Sequence, residues 1–90
     1  MKLSIEQLRA EAERSQVADT FEAVYRTGLT LFAEYPDCLD LATVGAWCAV
    51  KGRHATRIAR AMDRPRSWVY PRLRMVEQVL RRVHINPKSF

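Results

Sequence analysis

The sequence predicts a single all-α domain of about five helices, and three features carry that expectation. Its 90 residues contain only three glycines. No segment alternates β-branched with polar side chains, as a half-buried strand would; apolar residues recur instead every three or four positions. Hydrophobic residues make up 48% of the chain, enough for one core at a length near the lower end of what folds alone.

The first helix is announced by Ser4-Ile5-Glu6-Gln7, a capping box in which the Ser and Gln side chains each satisfy an orphaned amide. Good helix formers continue from Ile5 through Arg14, and no decisive stop signal follows at Ser15. Asp19-Thr20-Phe21-Glu22 repeats the same start logic. From there Phe21, Val24, Tyr25, Gly28, Phe32 and Tyr35 share one helical face. Gly28 costs about 1 kcal/mol against Ala in that setting, and its missing side chain allows a second helix to approach closely. Tyr35-Pro36-Asp37 closes the segment, because proline removes a donor and pushes its predecessor away from helix. A third helix, about Leu39 to Lys51, carries Leu41, Val44, Trp47, Cys48 and Val50, with Gly52 placed for a left-handed C-cap. Two further helices follow, divided by Asp63-Arg64-Pro65. The last runs to about His84, and Asn86-Pro87 closes it.

Residues 55–74, ATRIARAMDRPRSWVYPRLR, carry the spacing of a helix-turn-helix. Two short helices that cross steeply need a small side chain where they touch, and Ala59 stands at that position. Ile58 and Met62 pack inward from the first helix, Val69 and Leu73 from the second. Ser67 is suited to cap the second helix. Three residues depart from the usual pattern. Asp63 occupies the turn position where Gly is usual, although Asp tolerates the left-handed conformation. Arg64 stands where an apolar residue is typical. Pro71 lies within the second helix. With Ser67 as N-cap it takes the fourth helical position and deletes one early hydrogen bond; with a start at Pro65 it would kink the helix at a cost of about 3 kcal/mol. The Ser67 start is the preferred reading.

Charge is divided along the chain. From Lys51 onward eleven Lys or Arg face only Asp63 and Glu77, a net of +9, whereas residues 1–50 hold four basic and eight acidic side chains, a net of −4. A polyanion is attracted to one part of such a molecule and repelled by the other. Double-stranded DNA is the obvious candidate, since phosphate neutralisation supplies most of its non-specific binding energy. On the motif register Arg66, Ser67, Tyr70 and Arg74 face the major groove as base contacts, where one Arg paired bidentately with guanine is worth about 1–3 kcal/mol of discrimination. Lys51, Arg53, His54, Thr56, Arg57 and Arg60 flank the first helix as phosphate contacts, which orient without specifying sequence. Trp68 is assigned to packing. The plain alternative for these charges is a solvated helix face.

The run IARAMDRPRSWVYPRLR resembles the helix-turn-helix of small bacterial, phage and plasmid transcriptional repressors, and the brevity of the chain resembles the plasmid Kor-type repressors among them. The resemblance is confined to residues 55–74. It implies a homodimer that occupies an operator of two-fold symmetry; repression is then expected to come from occupying a promoter, and no cofactor is expected.

Phe21, Val24, Tyr25, Phe32 and Tyr35 are the expected dimer contact, because that stripe exceeds the needs of a five-helix monomer. The final helix contributes through Val69, Leu73, Val76, Leu80 and Val83, a seam widened by Met75 and Val79. The alternative is that both stripes pack on each other within one chain. The rival function is a protein-binding anti-regulator of phage or plasmid origin, whose basic face meets an acidic protein. Catalysis is not expected, for no Ser/His/Asp set, no paired carboxylates near a His and no phosphate-cradling Gly loop occurs. Cys38 and Cys48 read as reduced thiols, and with His54 and His84 they match no recurrent zinc spacing. A redox-sensing Cys38 near a helix start is the lesser alternative. The opening MKLSIEQLRAEAERS is charged throughout, unlike a secretory signal, and the longest uncharged stretch, Leu41–Val50, is too short to span a bilayer. Both features favour the cytoplasm.

Overall fold

Helix α3 (Cys38–Lys51) is the axis around which the chain folds. The computed structural model describes residues 3–84, and within them α3 is joined by α1 (Ile5–Arg14), α2 (Ala18–Leu31), α4 (Ala55–Met62) and α5 (Arg66–Arg82), with no strand. The chain is all-α, as its periodicity predicts. Eight consecutive α3 residues, Leu41 to Cys48, are buried. Asp40 is the only charged side chain in this helix before Lys51, and a helix that is apolar all round must be covered on every side. α1, α2 and α5 supply that cover, while α4 packs on α5. Leu8 and Ala12 come in from α1, Phe21 and Val24 from α2, and Val69, Leu73, Val76, Val79 and Leu80 from α5.

Small residues set how closely these helices approach. A Cβ built on Gly28 would lie 3.0 Å from the Ala42 Cα and 3.2 Å from its Cβ, so α2 meets α3 almost backbone to backbone. The close approach expected at Gly28 is present. Gly45 lies under Val24 of α2 and Val76 of α5, with more room: the nearest atom to its added Cβ would be 3.4 Å away.

Several helix ends differ from the sequence reading. The Ser4–Gln7 capping box forms as written, with both reciprocal bonds in place (3.2 and 2.9 Å). α2 starts earlier than the Asp19 signal: Val17 is its N-cap, no side chain caps it, and Asp19 sits in the first turn, where its charge favours the exposed amides. α2 also stops at Leu31 rather than near Tyr35. No local signal marks that end; the chain leaves the helix where Phe32 turns into the core, 3% exposed, and residues 32–37 reverse toward α3. Gly52 has the expected positive φ (90°), but its ψ of 178° is extended rather than left-handed helical. α5 ends at Arg82, and Asn86-Pro87 lies outside the described residues.

The stripe expected to form a dimer contact is largely spent inside the protomer. Phe21 and Val24 are fully buried and Phe32 nearly so; Tyr25, stacked on Phe21 with ring centroids 6.0 Å apart, is half-buried. Only Tyr35 is well exposed, at 49%. Three of the five residues are therefore closed to a second copy, because α3 offered them a larger apolar partner within the same chain. Among the described residues no helix is long and apolar enough to cross a membrane.

The two glycines at helix contacts, Gly28 of α2 and Gly45 of α3, should respond oppositely to alanine. Gly28→Ala forces a Cβ against the Ala42 backbone and should lower unfolding free energy by about 1–3 kcal/mol despite better helix propensity. Gly45→Ala meets ordinary contact distances and should be neutral or stabilising by up to about 1 kcal/mol. Denaturant titration of both variants checks this; equal responses would contradict the described helix spacing.

Candidate nucleic-acid interface

α4 and α5 meet at a tight corner made by Asp63, Arg64 and Pro65. Asp63 takes the left-handed conformation (φ 55°, ψ 48°) expected of the turn position. Its amide donates to the Arg60 carbonyl (3.2 Å) and the Arg64 amide to the Ala59 carbonyl (2.9 Å), closing α4 by a Schellman motif with Asp where Gly is common. The Leu3 amide donates to the Ala61 carbonyl at 2.7 Å, so the amino-terminal segment secures the same helix end. Ile58, Ala59 and Met62 on α4, and Val69 and Leu73 on α5, are all buried in the common core.

α5 begins at Arg66, with Pro65 as N-cap and no side-chain cap. The preferred start at Ser67 is thereby corrected: Ser67 is the second helical residue, not the cap. Proline suits this boundary, since its φ is already near −65° and its missing amide hydrogen would be unpaired there anyway. The consequence is that Pro71 falls inside the helix, the more costly of its two possible positions.

The four residues read as base contacts share one exposed surface. Arg66, Ser67, Tyr70 and Arg74 are all exposed and recur every three or four positions along α5. Gln78 extends the same exposed stripe by one turn and carries no charge. On the α4 side His54, Thr56, Arg57 and Arg60 are also exposed. Thr56, Arg60, Arg64 and Arg66 line an open cleft of about 540 Å³ between α4 and the start of α5, with Asp63 at its edge. Arg64, which sequence reasoning treated only as a departure from pattern, belongs to this surface.

Two of the expected phosphate contacts are engaged elsewhere. The Lys51 ammonium lies 3.0 Å from the Glu11 carboxylate and 4.7 Å above the Trp47 ring, and Arg53 lies 2.8 Å from Glu77. Both side chains are half-buried. Nothing in the local sequence signals these pairings, because Glu11 and Glu77 stand far from their partners along the chain. Arg72 is likewise withdrawn. Its Nε donates to Asp37 Oδ2 (2.9 Å), its Nη1 donates to the Trp68 carbonyl (2.8 Å), and its guanidinium lies 4.1 Å from the Trp68 ring centroid. Trp68 itself is half-buried, consistent with packing. By contrast Arg57, Arg60, Arg64, Arg66 and Arg74 have no carboxylate within ion-pair distance among the described residues. The basic surface left after internal pairing is thus centred on α4 and the first half of α5.

Comparisons with known protein families, curated proteins and solved structures found no match.

Both cysteines are free thiols. Cys48 is buried, and burial pushes its thiol from 9.0 up to about 12, so it stays protonated and unreactive at neutral pH. Cys38 is half-buried, with Sγ 3.5 Å from the Leu29 carbonyl. No group of three or more His, Cys, Asp or Glu side chains among the described residues is arranged to hold a metal ion.

The folded state holds the Cys48 proton more tightly than the unfolded chain does. The stability this contributes is complete below about pH 9 and should decline as pH rises from there toward 12. At pH 8 an aromatic disulfide reagent should modify Cys48 only after unfolding, with Cys38 reacting first; rapid modification of both thiols in the native protein would contradict this burial.

Proposed function

We propose that this chain is a sequence-specific double-stranded DNA-binding repressor that uses α4, the Asp63 corner and α5 as a helix-turn-helix. The observation that carries the reading is a set of five arginines on α4, the Asp63 corner and the first half of α5, Arg57, Arg60, Arg64, Arg66 and Arg74, that stand exposed without carboxylate partners, three of them (Arg60, Arg64 and Arg66) lining one cleft. Like charges gathered without counter-ions repel one another, and a polyphosphate is the partner that relieves this repulsion. Two further features support it. The first turn of α5 has no side-chain cap, and Arg66 at its start lines the cleft with Arg60 and Arg64. The exposed stripe Arg66-Ser67-Tyr70-Arg74 contains no acidic side chain, so a helix lying in the major groove meets no like charge there.

The roles divide by position. Thr56, Arg57, Arg60 and Arg64, with His54, contact phosphates and set orientation; Arg66, Ser67, Tyr70 and Arg74 read base edges. Lys51 and Arg53 are structural, held by Glu11 and Glu77. The protein acts in the cytoplasm as a homodimer on a symmetric operator, two reading heads being set about 34 Å apart by one turn of DNA. With Phe21, Val24 and Phe32 buried, the large apolar side chains exposed among the described residues are Tyr35, Leu39 and Tyr70, of which Tyr70 is assigned to the DNA.

Fluorescence anisotropy with duplexes from the chain's own upstream region, over a range of salt, tests this reading. Log affinity should fall with log salt by about 0.9 for each phosphate contact. Arg57→Ala, Arg60→Ala or Arg64→Ala should each weaken all sequences alike and make the slope shallower by about that amount. Arg66→Ala or Arg74→Ala should instead flatten the preference for one operator, at about 1–3 kcal/mol. Lys51→Ala and Arg53→Ala should leave the slope unchanged. A wild-type slope near zero would point to a protein partner instead.

A further inference from the structure

Arg72 is the one arginine in the first half of α5 whose guanidinium is turned inward. We infer that Arg72 is a positioning residue: it latches the first turns of α5 to the segment entering α3 through Asp37, and makes no contact with nucleic acid itself. This rests on the DNA-binding reading above.

Each nitrogen of the guanidinium has a partner within the protein. Nε and Nη2 both reach Asp37 Oδ2, at 2.9 and 2.8 Å, and Nη1 donates to the Trp68 carbonyl at 2.8 Å. Its guanidinium carbon also lies 4.1 Å from the Trp68 ring centroid, which Arg64 approaches at 5.4 Å. Arg72 and Asp37 keep only 23% and 29% of their side-chain exposure, so this pair is less screened by salt than a surface pair. Lysine could not replace it, because the planar fork meets carboxylate, carbonyl and ring at once.

The latch sits where α5 is weakest. Pro71 has no amide hydrogen, so the Ser67 carbonyl lacks the donor four residues on, and the proline ring crowds that same carbonyl. The defect falls between Ser67 and Arg74, inside the stretch whose side chains must hold a fixed angle to the duplex. Arg72 donates to the next carbonyl along, that of Trp68, and ties it to a residue 35 positions away that precedes the most buried helix of the fold. The stretch weakened at Pro71 is thereby braced from the core side, leaving the outer face of α5 free.

Duplex affinity measured at several salt concentrations separates this role from a phosphate contact, because the sign is unusual. Removing a carboxylate from a DNA-binding protein should strengthen binding electrostatically; a latch predicts the opposite. Asp37→Asn is expected to weaken operator binding by about tenfold, the order expected for breaking a charge-assisted Arg–carboxylate pair. Arg72→Ala and the double variant should match it, all with the wild-type salt slope. In a Trp47→Phe background, where Trp68 is the remaining indole, both single variants should shift Trp68 emission alike. Tighter binding by Asp37→Asn, or a shallower slope for Arg72→Ala, overturns the inference. Denaturant unfolding of the same four proteins keeps the two readings apart. Wild-type protein that binds no duplex removes the DNA reading, whereas strictly additive effects at positions 37 and 72 remove the latch itself.

Discussion

The burial of α3 from Leu41 to Cys48 is the constraint on which the other elements depend. Fully burying a Leu, Val or comparable side chain is worth about 1.5–3 kcal/mol, and this helix concentrates several such residues with no polar face to give to water. A helix of that kind cannot lie on a surface, so the chain has to wrap it. α2 can do so at short range because Gly28 lets its backbone reach Ala42. α5 covers another side through Val76, which stands over Gly45. The orientation of α5, and therefore of the arginines along its outer face, follows from how its inner face of Val69, Leu73, Val76 and Leu80 meets the core. α4 is a dependent element: eight residues long, it has too little buried surface to place itself, and it is held by α5, by the Schellman closure at Asp63 and by the Leu3 amide.

Electrostatics on this frame is a matter of subtraction. The basic residues after position 50 outnumber the acidic ones heavily, yet a good part of that excess is internal wiring. Lys51 joins the end of α3 to α1 through Glu11, Arg53 joins the α3–α4 connection to α5 through Glu77, and Arg72 joins α5 to the start of α3 through Asp37. Each is partly shielded, so each holds better in salt than an exposed pair would. The acidic half of the chain is thus partly consumed in neutralising those cations that face inward. Among the exposed cations without a carboxylate partner, Arg57, Arg60, Arg64, Arg66 and Arg74 lie on α4, the Asp63 corner and the first half of α5, and Arg14, Arg26 and Arg82 lie elsewhere. A charge count along the chain finds the basic half but overstates how many of its side chains are free of internal partners.

The sequence by itself determined the helical class, the Ser4 capping box, the approximate extents of α1, α3 and α4, the left-handed turn at Asp63 and the inward positions of the α4–α5 corner. These are decided by contacts within a few residues: side chain to nearby amide, apolar spacing along one helix, and backbone freedom at one position. It also placed Arg66, Ser67, Tyr70 and Arg74 together, because helical spacing alone puts them on one face. What only the tertiary structure decided involves distant partners. The α2 stripe of Phe21, Val24 and Phe32 looked like surplus apolar surface until α3 proved able to absorb it, since burial depends on which elements meet and not on one helix's own pattern. The start of α5 at Arg66 rather than after Ser67, the withdrawal of Lys51 and Arg53 into ion pairs, and the turning of Arg72 toward Asp37 are of the same kind. A charged side chain long enough to reach either solvent or a distant carboxylate carries no mark of its choice in the residues beside it; packing makes that choice, by bringing the carboxylate within 3 Å or leaving it out of reach.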